Sequence, residues 1–151
     1  LQHRNEINHL LDGVDAIAIS GGHAGIILNR LRIFGVLDHR NELPLIGWSA
    51  GAMALSEQVV FFHDSPPQGP GNAEIMRAGM GIFARFLPLP DARNRLDLHN
   101  EIRIELFSRR FKRFQCVIFD EHTLLDRKNG RWWISPETQM LKPTGKVASV
   151  N

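Results

Sequence analysis

A chain of 151 residues with 43% hydrophobic content carries enough apolar material for one core, so residues 1–151 are read as a single domain. The formal net charge is only +2, which argues against nucleic acid as a partner, although Arg93-Asn94-Arg95 and Arg109-Arg110-Phe111-Lys112-Arg113 concentrate positive charge locally. No stretch reaches the ~20 apolar residues that span a bilayer, so no membrane partner is expected; the lone Cys116 cannot form an internal disulfide and suits a reducing, cytoplasmic setting.

The chain starts at Leu1 rather than Met and opens at once on a helix-like pattern over 1–12, so a preceding portion is expected. Asp15 to Ser20 is a short apolar run that stops at Gly21-Gly22, the signature of a buried parallel strand ending in a tight turn. Ala24 to Phe34 has helical spacing, with Ile27, Leu28, Leu31 and Phe34 on one face, and Gly35 ends it. Pro44 to Trp48 reads as the next strand and Ala50 to Val60 as the next helix. Residues 63–73 hold too many prolines and glycines for regular structure. Phe86 to Pro90 is a short extended segment, and His99 to Phe111 a helix with Ile102, Leu106 and Phe107 inward. Cys116 to Phe119 is a core strand, with Cys116 a buried thiol. Asn129-Gly130 joins two further strands as a hairpin, expected to close the domain. Strand and helix alternate through the first two thirds, which predicts an α/β fold with a mainly parallel sheet and helices on both faces.

Chemistry enters at Gly47-Trp48-Ser49-Ala50-Gly51. A Gly-x-Ser-x-Gly motif means little unless it follows a strand and opens a helix, as it does here. Such a turn puts the serine in a strained backbone conformation, and bulky neighbours would collide there; Gly47, Gly51 and Ala52 are small. The plain alternative is a strand-to-helix turn with Ser49 as an N-cap. A nucleophilic serine also needs amide donors for the oxyanion, and the candidates are the Ala50 and Gly22 N–H groups. His23, in the same loop as Gly22, is a candidate for contacting substrate, as are Arg85, Arg93 and Arg95 for holding a carboxylate.

Ser20-Gly21-Gly22-His23, then Ile46-Gly47-Trp48-Ser49-Ala50-Gly51-Ala52, then Asp120-Glu121 after a core strand together resemble dipeptidase E and cyanophycinase, of the class I glutamine amidotransferase-like superfamily. The resemblance covers about residues 10 to 135. It implies a flavodoxin-like, three-layer α/β/α domain with additional strands ahead of residue 1. It also implies a catalytic Ser, His and Glu, matched by Ser49 as nucleophile and Glu121 as acidic partner. The alternative for Glu121 is a solvent-facing carboxylate at a strand end.

The general base breaks the pattern. The family's histidine follows a short strand ending in Pro-His, and here Asp91 follows Pro90 instead. An ordinary carboxylate, with a pKa of about 4, is a poor base for a serine hydroxyl. His99 is the preferred replacement, His63 and His122 are others, and a degenerate site is the remaining possibility. His122 adjoins Glu121, and neighbours in extended chain point to opposite faces, which argues against a pair between them.

The activity expected is therefore that of a serine hydrolase of the peptidase type acting on a small peptide-like substrate. No cofactor is expected, since there is no zinc-ligand spacing and no phosphate-binding glycine loop. The competing expectation is a non-catalytic relative that binds a ligand or partner at the old cleft, with Asp91 as its mark. An α/β-hydrolase esterase would need a histidine late in the chain, and a glutamine amidotransferase would need cysteine at the elbow; neither is present. The sequence says nothing of oligomeric state.

Overall fold

The computed structural model describes residues 2–38, 42–63 and 72–150. In chain order the elements are α1 (Gln2–Leu11), β1 (Ile17–Ile19), α2 (Ala24–Phe34), β2 (Leu45–Gly47), α3 (Ala50–Leu55), β3 (Gln58–Phe61), β4 (Glu74–Ala78), β5 (Phe86–Pro90), α4 (Ala92–Arg95), α5 (Glu101–Arg110), β6 (Gln115–Phe119), β7 (Leu125–Lys128), β8 (Arg131–Ile134), β9 (Gln139–Leu141) and β10 (Val147–Ser149). Most of the loop expected over 63–73 lies outside the described residues. No helix among the described residues is long and apolar enough to cross a membrane.

Local chemistry explains several boundaries. The Nδ1 atom of His23 accepts the Gly25 N–H at the start of α2, and Gly35 ends that helix in the left-handed region at φ 61°. Asn100 opens α5 by accepting the Arg103 N–H on its side chain. Asn129 and Gly130, at φ 51° and 78°, supply the two positive angles that a tight β7–β8 turn requires.

The fold is mixed α/β, but its sheet is less unified than the expected one. Parallel pairing occurs in β1–β2 and β5–β6; β3–β4 and β7–β8 form separate antiparallel pairs, and β9 and β10 extend the β5–β6 pair antiparallel. The hairpin therefore does not close the domain, since β9 and β10 follow it and join β6. The edge of β5 away from β6 carries two prolines. Gln115 N–H donates to Arg85 O and Asp91 N–H to Phe119 O, so odd-numbered residues of β5 point their backbone groups at β6. Consecutive residues of a strand address opposite edges, which turns Pro88 and Pro90 outward. Proline has no N–H, so this edge offers no donors to a neighbour at two successive positions. Strand β2 packs against α3 as β5 does, and no ladder joins the two among the described residues.

Two helix expectations are corrected. The helix predicted to reach Val60 stops at Leu55, and 58–61 is a strand. The carbonyls of Ala54, Leu55 and Ser56 are taken by the N–H groups of Met80, Ile82 and Gly81, and buried Ser56 bonds through Oγ to Met53 O and Gln58 O. With its carbonyls occupied by a distant segment, α3 cannot continue. In α5 the inward face is Ile104, Phe107 and Ser108, continued by Phe111, while Ile102 and Leu106 are 72% and 64% exposed. Spacing identified the helix but shifted its apolar face, because only Phe107 is common to both sets.

The core is centred on α3, every residue of which is buried, together with Leu28, Val59, Phe62, Leu87, Leu89, Ile104 and Ile118. Burial of Cys116 pushes its thiol up to about 12. Because the thiolate is the reactive form, the native protein should react with a thiol reagent such as Ellman's only at the rate of global opening. Rapid titration of one thiol in the folded state would contradict this.

Candidate active site

The end of β1 and the end of β2 lie side by side, with Ile19 opposite Gly47 and the Trp48 N–H donating to Ile19 O at 3.2 Å. The chain then reverses into α3 through Ser49, whose backbone sits at φ 53°, ψ −126°. That region is the one tight turns reserve for glycine, and holding a serine in it costs about 1–3 kcal/mol. The Ser49 side chain makes no capping hydrogen bond and is exposed, so the N-cap alternative has no support in the geometry. Ala50 is the first residue of α3, where N–H groups have no carbonyl partner within the helix.

Gly21 and Gly51 make the reversal possible. A Cβ on Gly51 would fall inside the carbonyls of Ile19 and Ser20, so α3 can lie against β1 only without a side chain there. A Cβ on Gly21 would sit 3.2 Å from both Cβ and Oγ of Ser49. Gly21 thus forms the wall behind the hydroxyl; its neighbour Gly22, the candidate oxyanion donor, has φ 133°. Gly21→Ala should displace the Ser49 side chain by a few tenths of an ångström and slow its reaction with an organophosphorus probe by roughly tenfold to a hundredfold. An unchanged rate would show that this wall does not position the hydroxyl.

Ser49 opens into a cleft of ≈ 880 Å³ whose lining includes Trp48, Asp91, Arg93, Asp120, Glu121 and His122. Strands β2, β5 and β6 deliver these residues from their carboxyl ends, the edge where parallel α/β sheets bind ligands. Of the residues singled out in the sequence, Ser49, Asp91, Arg93, Glu121 and His122 meet here. His99 does not line the cleft; it is exposed ahead of α5, its N–H donating to Asp97 Oδ1. His23 is engaged as the α2 cap, its ring edge-on to Phe61 at 5.7 Å. Arg95 lies over the Phe62 ring rather than in the cleft.

The electrostatics centre on Asp120, which sequence reasoning passed over in favour of Glu121. Burial alone would raise its carboxyl, but the His122 N–H, the Thr123 hydroxyl and the Arg93 guanidinium at 3.5 Å outweigh it and hold the group below the usual carboxylate range. Arg93 also donates to Gln139 Oε1 at 2.6 Å. Asp91 sits in the left-handed region at φ 57°, and its Oδ1 accepts from Asn94 Nδ2 at 2.7 Å. The signal for Asp120 was present as an Asp-x-x-Thr turn, in which side-chain oxygens take up loose backbone N–H groups. Among the described residues no cluster of His, Cys, Asp and Glu is arranged to hold a metal.

A family model described as peptidase family S51 matches residues 1–133. The chain belongs to this family. The match spans the Gly21-Gly22 turn, the strand-to-helix turn at Ser49 and the Asp120-Glu121 loop, and so agrees with the dipeptidase E and cyanophycinase resemblance read from those residues. A search of curated proteins finds no match. Family S51 membership makes a serine peptidase the general class to which this cleft is referred.

Proposed function

We propose that the chain is a serine hydrolase that cleaves a small peptide or amide bond by attack of Ser49 Oγ on the carbonyl carbon. The observation that carries this is an exposed serine hydroxyl held at φ 53°, ψ −126° at the mouth of a cleft. Strain of that kind persists only where surrounding packing imposes it, and it is typical of nucleophile elbows. The Ala50 and Gly22 N–H groups are the proposed oxyanion donors and Glu121 the proposed acidic partner. Asp91 and Arg93, both in the cleft wall, are the proposed substrate contacts, Arg93 as the cation for a substrate carboxylate. The reaction as proposed uses only side chains and backbone amides. We take the two parallel pairs as parts of a flavodoxin-like arrangement and the cytoplasm as the setting, in line with the single, buried cysteine.

A fluorophosphonate probe tests the proposal. Covalent labelling of the native chain, absent in Ser49→Ala, is the expected result; no labelling of either would refute it. A second reading keeps the cleft as a binding site without chemistry, and one observation favours it. Asp91 stands where the family's histidine is expected, and its carboxylate is tied to Asn94.

A further inference from the structure

We infer that His122 is the general base of this serine site, acting from the β6–β7 loop in place of an imidazole at position 91. The inference rests on the hydrolase reading above.

Among the described histidines, His122 alone lines the cleft that contains Ser49. The ring of His23 is committed to capping α2. His63 belongs to a separate groove, beside Phe62 and Arg110. His3 and His9 lie on α1, and His99 lies outside the cleft wall. The objection that Glu121 and His122 must diverge assumed extended chain. Residues 121 and 122 instead form a turn after β6, and both line the cleft.

The loop is built to hold a side chain in place. The His122 N–H donates to Asp120 Oδ1 at 3.1 Å, and the His122 carbonyl accepts from Ser135 Oγ at 2.9 Å. Ser135, only 6% exposed, also accepts the Leu124 N–H, while Thr123 Oγ1 donates to Ile118 O at 2.9 Å. Both backbone polar groups of His122 are thus anchored, whereas its exposed imidazole bonds to no described residue. A group anchored at its backbone with an uncommitted ring can turn into hydrogen-bond reach of a hydroxyl lining the same cleft, as a general base must.

In the step assigned, a ring nitrogen of His122 takes the Ser49 Oγ proton as the O–C bond forms and the carbonyl electron pair moves onto oxygen. The imidazolium then protonates the leaving amine nitrogen as the C–N bond breaks. Water attacks the resulting ester by the same route, its proton passing through the imidazole back to Ser49 Oγ.

The test compares fluorophosphonate labelling rates of the native chain, His122→Gln and His99→Gln at one neutral pH, with thermal midpoints confirming that all three are folded. His122→Gln should label ~10²–10⁴-fold more slowly, and His99→Gln at the native rate. Added imidazole should restore part of the rate in His122→Gly, a response that a merely structural role would not give. Labelling of His122→Gln at the native rate overturns the inference, as does loss of labelling confined to His99→Gln. A native chain that does not label at all refutes the hydrolase reading itself, a result separable from failure of the His122 assignment.

Discussion

Ser49→Ala should reduce both turnover and fluorophosphonate labelling to background, a loss of roughly 10⁵-fold or more if Ser49 is the nucleophile. The fold should be untouched, because the side chain is exposed and caps nothing. Ser49→Gly separates chemistry from stability more sharply. Glycine occupies φ 53° without steric penalty, and relief of about 1–3 kcal/mol of strain exceeds the ~0.5–1 kcal/mol entropy cost of the new glycine. The glycine variant should therefore be inactive yet more stable than the native chain by about 1 kcal/mol. Denaturant midpoints measured beside labelling decide the matter. A less stable Ser49→Gly would mean that the backbone angle is not strained, and the main argument for a functional elbow would go with it.

The second large effect is structural. Gly51→Ala should destabilise the protein by about 3 kcal/mol or more, because its methyl group would enter the carbonyls of Ile19 and Ser20. Those atoms are strand backbone and cannot turn aside as a flexible side chain would. Relief requires α3 to lift from β1, and every residue of α3 is buried. For a chain of this size the loss corresponds to a fall in melting temperature of about 6–12 °C. Activity should fall as well, since the same contact aligns the Gly21-Gly22 loop with Ser49. A melting temperature within a degree or two of native would show that the helix has slack at this contact.

Much of the local structure was legible in the residues. The strand-to-helix turn at Ser49 was recognisable because its constraint is written in small side chains around one serine. The β7–β8 turn was recognisable because Asn-Gly accepts positive φ at both positions. Helix α2 was bounded correctly by Gly35. The apolar face of α5 was misjudged, since Ile102 and Leu106 satisfy the same period as Ile104 and Phe107 and only the packed side distinguishes them.

The pattern of these outcomes has one cause. Turns, caps and helical stretches depend on residues a few positions apart, so the sequence by itself determined the turn at Ser49, the Gly21-Gly22 turn, the hairpin and the family to which they belong. The end of α3 depends on amides some 25 residues downstream, by the separation of Ala54 and Met80, and the grouping of strands into separate sheets on which distant segments pair. The makeup of the cleft likewise depends on three strand ends converging, which sets His122 in the wall with Ser49 and leaves His99 outside it. Contacts between distant segments are not encoded in any local spacing, and only the tertiary structure could decide them.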